Sequence, residues 1–444
     1  MILGANIRAV GAHLAGWRHP DAARPAAMNL ANTVAYAQLA ERGTMHFAFL
    51  ADGNGVRQMD KPALFAAMAP TDRPTVFEPV TLLSAISMVT RRIGLVATAT
   101  TTYEAPFSLA RKFASLDHLS GGRAAWNLVT TSNADDALNF GHTEHVARDQ
   151  RYERAREFAD VVRGLWDSWA DDAFLEDREA GRFLDPAKVH VLQHQGRYLS
   201  VRGPLNMARP PQGHPVLFSA GQSEAGRELT AAMSDCMFAT GASMEQARAN
   251  YADVKGRMAK HGRDPASLKI LHDVTIYAAP TAAEAEAHFQ ELQALIPPAL
   301  GVEMLEMDVS GHPLDGPVPP VDGQNVGGTS IRFSVAETAH REGLSIRQTY
   351  QRVVTGSGGC SFKGGAQEVA DEMEAWFKGG GCDGFVISGP VMRRGLAAVV
   401  DLVIPELRRR GLFHAAYSGT TFRQNLGLAR PANRFFAAEG MAAE

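Results

Sequence analysis

The sequence has few cysteines, and their placement excludes the usual chemistry of this residue. The chain contains three cysteines, Cys236, Cys360 and Cys382, with no Cys-x-x-Cys pair and no paired histidines nearby. Zinc sites need closely spaced ligands, and disulfide frameworks need paired cysteines in an oxidising compartment. The sequence therefore predicts neither a metal site nor a disulfide framework, and it indicates a reducing compartment.

A basic excess and long apolar runs are also missing. The formal net charge is −4, and the one dense basic cluster, Arg408-Arg409-Arg410, ends a helical pattern, where it complements the helix dipole. Nucleic-acid binding needs a basic face that this sequence does not have. No apolar run approaches the ~20 residues that span a bilayer, and no basic start followed by an apolar segment marks a signal peptide. We expect a cytoplasmic protein that binds neither nucleic acid nor membrane.

Two glycine-rich stretches lack the spacing of nucleotide-binding loops. The first begins at Asp52, but Gln58 stands where a dinucleotide fingerprint has its third glycine, and no helical pattern begins there. The second, residues 356–365, contains a lysine without the order GxxxxGK[ST], and we interpret it as a loop leading into a helix. Neither stretch predicts a site for a nicotinamide cofactor or a nucleoside triphosphate.

The sequence does contain a repeated unit, a short apolar run followed by an amphipathic helical pattern. Such runs predict strands within residues 2–10, 45–50, 93–97, 122–133, 215–219, 236–239, 268–278 and 383–387, and helical patterns at 28–42, 80–90, 150–169, 282–295 and 396–410, with a further helix beginning at Pro106. Eight strand–helix alternations predict an α/β protein with a (β/α)8 TIM barrel rather than a doubly wound sheet.

The connections between these units predict the domain organisation. We expect a single domain of residues 1–444, with insertions after the fourth and seventh strands. The first insertion, 170–211, contains a predicted hairpin around His194–Tyr198. The second, 300–365, is too long for a plain connection and is expected to be a lid or an oligomer contact. Residues 411–444 form a C-terminal tail.

Polar side chains end several of the predicted strands. Asp52 follows the second strand, Thr98 the third, and Asn127 lies in the fourth before a run of threonines. TIM barrels place their ligand-binding groups at the carboxyl ends of strands. A core strand with an ordinary polar turn is the alternative for the fourth strand. Trp126 alternates away from Asn127, so we expect it to pack against the helices.

Three further stretches are candidates for the barrel mouth. Ser223 lies between the fifth strand and a helix, where amides at the helix N-terminus and its hydroxyl suit a phosphate, or where it simply caps the helix. Tyr152 heads the helix after the fourth strand and either contacts a ligand or only packs. The stretch from His13 to Pro20 follows the first strand and is either part of a substrate site or a surface loop.

Taken together, these stretches resemble the flavin-dependent monooxygenases of the bacterial luciferase-like superfamily, and most closely the branch of nitrilotriacetate monooxygenase component A. The matching stretches are GWRHP (16–20), FLAD (49–52), AWNLVT (125–130), RY (151–152), AGQSEAG (220–226), AWF (375–377), DGF (383–385) and VIPELRRRGLF (403–413). They appear in the order of the family and cover almost the whole chain. The resemblance implies a TIM barrel that binds reduced FMN at its C-terminal mouth.

The resemblance also implies flavin-binding roles. By the family pattern, the residues that touch the flavin or its ribityl chain are Asp52, Thr98, Asn127 and Tyr152, and those at its phosphate are Ser223 and the Gln222 amide. Two positions depart from the branch. Arg148 stands where a histidine is usual, and its guanidinium can fork onto a phosphate. Gln222 stands where a serine or threonine is usual, so it keeps the amide but lacks a short hydroxyl. We expect weaker or repositioned FMN binding.

The activity implied by the resemblance is oxygenation of a small organic substrate by reduced FMN and oxygen, with C–N or C–S bond cleavage or sulfur oxygenation. The missing nicotinamide fingerprint fits a two-component system with a separate NAD(P)H:flavin reductase, and we expect a homodimer or homotetramer. His13 is a candidate general acid or base because histidine titrates near neutrality, although a lone histidine is more often structural. Arg18 and Arg57 either bind a carboxylate or sulfonate substrate or are solvated loop charges.

Two alternatives remain open from the sequence. One is a relative that uses a deazaflavin for hydride transfer on the same barrel. The other is a flavin-binding protein without catalysis, which would bind FMN but give no oxygen-dependent product. The substrate itself cannot be read from one sequence, because the loops of a barrel determine specificity.

Overall fold

Eight parallel strands close into a barrel. The computed structural model describes residues 1–25, 28–56, 59, 65–66, 76–241, 243–305, 307–320, 330–355 and 360–436. The barrel strands are β1 (Ile2–Asn6), β2 (Phe47–Leu50), β3 (Gly94–Thr100), β4 (Ala124–Val129), β5 (Val216–Ser219), β6 (Cys236–Ala239), β7 (Lys269–Ala278) and β8 (Gly384–Ser388). Each pairs in parallel with the next, and β8 pairs with β1. The predicted (β/α)8 barrel is confirmed.

Helices cover the outside of the barrel. They are α1 (Leu30–Arg42), α2 (Pro79–Ser87), α3 (Pro106–Ser120), α4 (Arg148–Trp166), α5 (Glu224–Met233), α6 (Met244–Arg257), α7 (Ala282–Ala294), α8 (Pro298–Leu305), α9 (Ser330–Glu342), α10 (Ile346–Val353), α11 (Ala366–Lys378), α12 (Met392–Ala398), α13 (Ile404–Arg409) and α14 (Phe422–Asn425). A π-helical turn, Val399–Val403, joins α12 to α13. None of the described helices combines the length and apolar character needed to cross a membrane.

The outward faces of the strands pack against these helices. Trp126 of β4 lies between Phe113 of α3 and Phe158 of α4, with ring centroids 6.0 and 5.9 Å away. Its indole N–H donates to the carbonyl of Ala99 at 3.0 Å. Because side chains alternate along a strand, this outward packing of Trp126 turns its neighbour Asn127 into the barrel. The predicted packing role of Trp126 is confirmed.

Aromatic side chains fill the N-terminal end of the barrel interior. Phe47 of β2 lies 5.2 Å from Phe218 of β5 and 5.9 Å from Phe422 of α14, measured between ring centroids. Phe218 lies 4.9 Å from Phe238 of β6. A Cβ at Gly4 would lie 2.0 Å from the Phe47 ring, so β1 must carry a glycine there. These four phenylalanines, which we call the aromatic floor, leave only the C-terminal end of the interior for a ligand.

The remaining segments surround the barrel. After α4, two short strand pairs follow, Phe174–Asp177 with Arg182–Leu184 and His194–Gln195 with Ser200–Val201, and the second is the predicted hairpin. Helices α8 and α10 form a separate apolar cluster that includes Leu300 and Tyr350. The C-terminal segment is held by Arg423, whose guanidinium pairs with Asp235 at 2.6 Å in a buried site.

Two sequence interpretations need correction. Residues 361–364, expected to be loop, form a strand, Ser361–Gly364, that pairs with the outer end of β7 from Thr275 to Ala278. The glycines around this strand hid its alternation of a buried Phe362 between exposed neighbours. The first strand ends at Asn6 and not at Val10. Ile7 still donates to the carbonyl of Phe49 on β2 at 2.9 Å, but Val10 accepts from the Met392 N–H, beyond β8, at 2.8 Å.

Candidate active site

A cavity of about 270 Å³ opens at the carboxyl ends of β2 to β5. Asp52 and Thr98 line it at the ends of β2 and β3, and Tyr152 reaches it from α4. Gly221 and Gly226 line it beside the N-terminus of α5. Three acidic residues, Glu78, Glu104 and Asp136, also lie in its wall. The strand order therefore assembles residues from distant parts of the sequence into one polar cavity.

Asn127 and Thr98 form a hydrogen-bonded pair on adjacent strands. They are register partners on β4 and β3, and the Asn127 Nδ2 donates to the Thr98 Oγ1 at 2.9 Å. The Thr98 hydroxyl in turn donates to the carbonyl of Leu50 at 2.9 Å. The Asn127 Oδ1 is buried and has no partner among the described residues. A buried acceptor without a donor costs about 1–3 kcal/mol, so this atom is suited to a donor on a bound molecule.

The far end of the cavity meets the N-terminus of α5. The Ser223 hydroxyl caps this helix by accepting from the Gly226 N–H at 3.2 Å, and it donates to the Tyr152 hydroxyl at 3.4 Å. A Cβ at Gly221 would lie 2.7 Å from the Cα of Gly226, so the two backbones can approach only as glycines. Amides at a helix N-terminus attract anions. This end of the cavity is suited to a phosphate.

The two residues that depart from the family pattern have different surroundings. The Gln222 side chain donates to the carbonyl of Phe238 on β6 at 2.9 Å, so it braces the loop and leaves only its backbone at the helix end. Arg148 is the first residue of α4 and is exposed. It precedes Tyr152 by four residues and so lies on the same face of the helix. Its effect on phosphate binding stays a prediction.

His13 and Arg18, candidates for acid–base and substrate roles, do not line this cavity. His13 is buried, its Nδ1 accepts from the Ala15 N–H at 3.1 Å, and burial lowers its pKa to about 4. Its imidazole is therefore neutral at pH 7. Arg18 is exposed and donates to the carbonyl of Leu295. Arg57 lies outside the described residues.

The sequence interpretation missed a second set of polar side chains on the barrel wall. Asn6 on β1, Asp273 and Thr275 on β7, and Ser388 on β8 lie on the side of the ring opposite β3 and β4. The alternation Leu271, Asp273, Thr275 along β7 was the available signal, because Leu271 belongs to the barrel interior. Within the described ranges, no group of three or more histidine, cysteine, aspartate and glutamate side chains is arranged to hold a metal ion.

A closed (β/α)8 barrel with a polar cavity at its carboxyl end and a helix N-terminus beside it defines a class of barrel enzymes that bind phosphate-bearing ligands. The profile of the family described as luciferase-like monooxygenase matches residues 11–381. The chain belongs to this family, as the resemblance implied, and it is a flavin-dependent monooxygenase. Family membership sets aside the alternative of a non-catalytic flavin-binding protein.

Individual relatives match over nearly the full length. The chain is 43% identical to N-acetyl-S-(2-succino)cysteine monooxygenase of Bacillus subtilis (strain 168), over 98% of each protein. It is 44% identical to nitrilotriacetate monooxygenase component A of Aminobacter aminovorans, over 98% of this chain and 97% of that protein. Among solved structures, a riboflavin lyase with modified FMN and riboflavin has a TM-score of 0.80 and 30% identity, over 96% of each chain.

Proposed function

We propose that this protein is the oxygenase of a two-component system. It would use reduced FMN from a separate NAD(P)H:flavin reductase, together with oxygen, to oxygenate a small organic substrate. Oxygenation of a carbon beside nitrogen or sulfur would cleave the C–N or C–S bond, and oxygenation of sulfur is the related outcome. The observation that carries the proposal is the cavity at the carboxyl ends of β2 to β5, which is lined on one side by Thr98, the hydrogen-bond partner of Asn127, and on the other by Gly221 and Gly226 beside the N-terminus of α5.

The residues present fit a flavin mononucleotide. Asn127 offers a buried acceptor and is bonded to Thr98, which lines the cavity together with Asp52. Tyr152 and Ser223 stand at the other end, where the amides of α5 suit the phosphate. We infer that these five residues hold FMN, with Arg148 and the Gln222 amide as further groups at the phosphate.

Bound reduced FMN would supply the electrons that activate oxygen. The chain's own residues have the tasks of binding, orientation and exclusion of water. Leu128 and Leu229 line the cavity with apolar surface. The aromatic floor fills the opposite, N-terminal end of the barrel interior. Where a bound flavin displaces water, the hydrogen bonds made by Asn127 and Thr98 would be strengthened and would fix the orientation of the ring.

Relatives support the choice of partner and substrate. One is named as a component A, which implies a second component, and another is named for a thioether that carries carboxylates. We propose a reductase as the partner and a small C–N or C–S compound as the substrate class. Arg18 and Arg57 remain candidates for contacts with an anionic substrate, His13 remains a candidate acid or base, and we propose a homodimer or homotetramer.

The test is turnover without a nicotinamide. The purified protein is mixed anaerobically with photoreduced FMN and a panel containing nitrilotriacetate and N-acetyl-S-(2-succino)cysteine, and oxygen is then admitted. We expect an oxygen-dependent product by mass spectrometry and no NADH oxidation by the protein alone. NADH oxidation by the pure protein, or product formed only with a reduced deazaflavin and no oxygen, would contradict the proposal.

A further inference from the structure

A second cavity, of about 560 Å³, lies outside the barrel interior. It is lined by side chains of α7, α10 and α11, by the strand Ser361–Gly364 and by the N-terminus of α6. Among the described residues, it shares no lining residue with the cavity at the ends of β2 to β5. We call it the amide cleft, because its lining includes four glutamines, Gln290 and Gln293 of α7 and Gln348 and Gln351 of α10.

Gln293 is a buried amide whose hydrogen-bonding capacity is unused. Its side chain lines the cleft, the residue is 4% exposed, and neither Oε1 nor Nε2 has a partner within the described part of the chain. Most buried polar atoms in folded proteins are paired. Gln290, one turn earlier on α7, has its Nε2 donating to Glu286 at 2.7 Å. The wall of the cleft at Gln293 is therefore suited to a ligand that supplies one acceptor and one donor together.

The charged side chains around the cleft disfavour an anionic ligand. Lys363, in the lining, pairs with Glu286. Arg352, also in the lining, pairs with Glu342. Glu372 is a third carboxylate, and it lines the cleft itself. Since both cations already have carboxylate partners and a further carboxylate is present, the cleft is better suited to an uncharged ligand.

Aromatic side chains give the cleft apolar walls. Phe289, Phe362 and Trp376 line it, and the rings of Phe362 and Trp376 meet edge to face, with centroids 5.8 Å apart. Burial raises the pKa of the Cys360 thiol to about 12, so this lining residue also stays uncharged. Aromatic rings pack well against the faces and edges of other rings, so these walls favour a planar ligand. Apolar walls with a few unspent polar groups are the usual construction of a small-molecule site.

We propose that the amide cleft binds an uncharged planar heterocycle that carries a lactam, the cyclic form of –CO–NH–. The lactam N–H would donate to the Gln293 Oε1, and the lactam carbonyl would accept from the Gln293 Nε2. Two parallel hydrogen bonds would then use both unpaired atoms at once. This second site is separate from the flavin cavity, and the inference does not depend on the proposed function.

The probe is 5-fluorouracil, a planar lactam whose fluorine reports weak binding by NMR. It is titrated into the full-length protein in the presence of saturating FMN, and the fluorine shift and line width are followed. We expect saturable binding at one site per chain without release of FMN, which flavin fluorescence measures. The 1,3-dimethyl derivative keeps the ring and both carbonyls but has no N–H, and it should bind at least about tenfold more weakly.

Two variants on α7 assign the binding to Gln293. Gln293→Met removes both amide atoms at similar size, and it should weaken the binding of 5-fluorouracil at least about tenfold. Its fold should be kept, because only unpaired polar atoms are lost, and thermal unfolding checks this. Gln290→Met is the matched control, because the Gln290 amide is exposed and already bonded to Glu286, so the affinity should change little.

Three results would overturn the site. They are the lack of saturable binding of 5-fluorouracil to the unmodified protein, equal affinity for its 1,3-dimethyl derivative, and unchanged affinity in Gln293→Met. Release of FMN in step with binding would place the probe in the flavin cavity and would equally contradict a separate cleft. If FMN itself fails to bind, the proposed function fails, and the same titration without FMN still decides whether the amide cleft is a site.

Discussion

The orientation of the Asn127 side chain, and the atom that it leaves available, are determined by its neighbours Thr98 and Trp126. Its amide is held by Thr98, its Oδ1 is left without a partner, and its direction follows from the outward packing of Trp126. An amide whose donor is satisfied inside the protein and whose acceptor is free presents one fixed polar atom. In the proposed site, that arrangement would hold an N–H of the flavin ring at one position.

Replacing Asn127 with leucine tests this residue. We expect the dissociation constant for FMN to rise at least about tenfold, because a buried hydrogen bond is lost, while the free energy of unfolding changes little because an unpaired polar atom disappears too. Flavin fluorescence titration measures the affinity. Asn250→Leu in α6, a helix on the outside of the barrel, is the control and should bind FMN normally. Normal affinity in Asn127→Leu would remove this residue from the site.

At the scale of elements, two helices begin in the same way but only one faces the cavity. Ser223 caps α5 by accepting from Gly226, and Ser243 caps α6 by accepting from the Gln246 N–H at 3.3 Å. The hydrogen bond to the helix is equivalent in both. Gly221 and Gly226, beside the N-terminus of α5, line the polar cavity, whereas Ser243 and Met244 at the N-terminus of α6 line a different cavity.

Replacing each of the two capping serines separates the effect of a cap on helix stability from its effect on ligand binding. Ser223→Ala and Ser243→Ala should each lower the free energy of unfolding by about 1 kcal/mol, because each removes a helix cap. Only Ser223→Ala should weaken FMN binding, and it should leave riboflavin, which has no phosphate, almost unaffected. Chemical denaturation and flavin titration give the two quantities. Equal losses of FMN affinity in both variants would mean that the α5 cap has no role at the phosphate.

The strands and helices that the sequence predicted were those whose burial gives a recognisable pattern of apolar residues. All eight barrel strands were predicted, because a strand covered on both faces is a continuous apolar run. The strand from Ser361 to Gly364 was missed because it is short and flanked by glycines. The direction of the Gln222 side chain depends on a carbonyl on another strand, so it cannot be read from local sequence. The alternation of Asp273 and Thr275 on β7 could be read, but their proximity to polar residues of β8 and β1 depends on strand register.

At the scale of the whole molecule, buried histidines should make stability depend on pH. Burial lowers the pKa of His13 to about 4, of His46 to about 3 and of His272 to about 4. An unfolded histidine has a pKa of about 6.5, so between that pH and about 4 the unfolded chain binds more protons, and stability is lost as the pH falls.

Two buried carboxyl groups act in the opposite direction over a similar range. The pKa values of Asp117 and Asp273 are raised to about 6, so their contribution to stability is present below the unfolded value of about 4 and is lost as the pH rises through 6. The histidines are more numerous and their shifts are larger. We expect the midpoint of thermal unfolding by calorimetry to fall from pH 7 to pH 5. An equal or higher midpoint at pH 5 would contradict this balance.

The aromatic floor also limits the routes by which ligands can enter and leave the barrel. The barrel interior is closed at its N-terminal end by the packed rings of Phe47, Phe218, Phe238 and Phe422. Among the described residues, a ligand can therefore enter the interior from the C-terminal end. Of two ligands bound in this interior, the deeper one must bind first and dissociate last. If the flavin is the deeper ligand, a substrate that binds before it would block its entry, so the order of binding would affect turnover. In the proposed two-component system, the time at which the reductase delivers reduced FMN would then matter as much as the affinity of any single site.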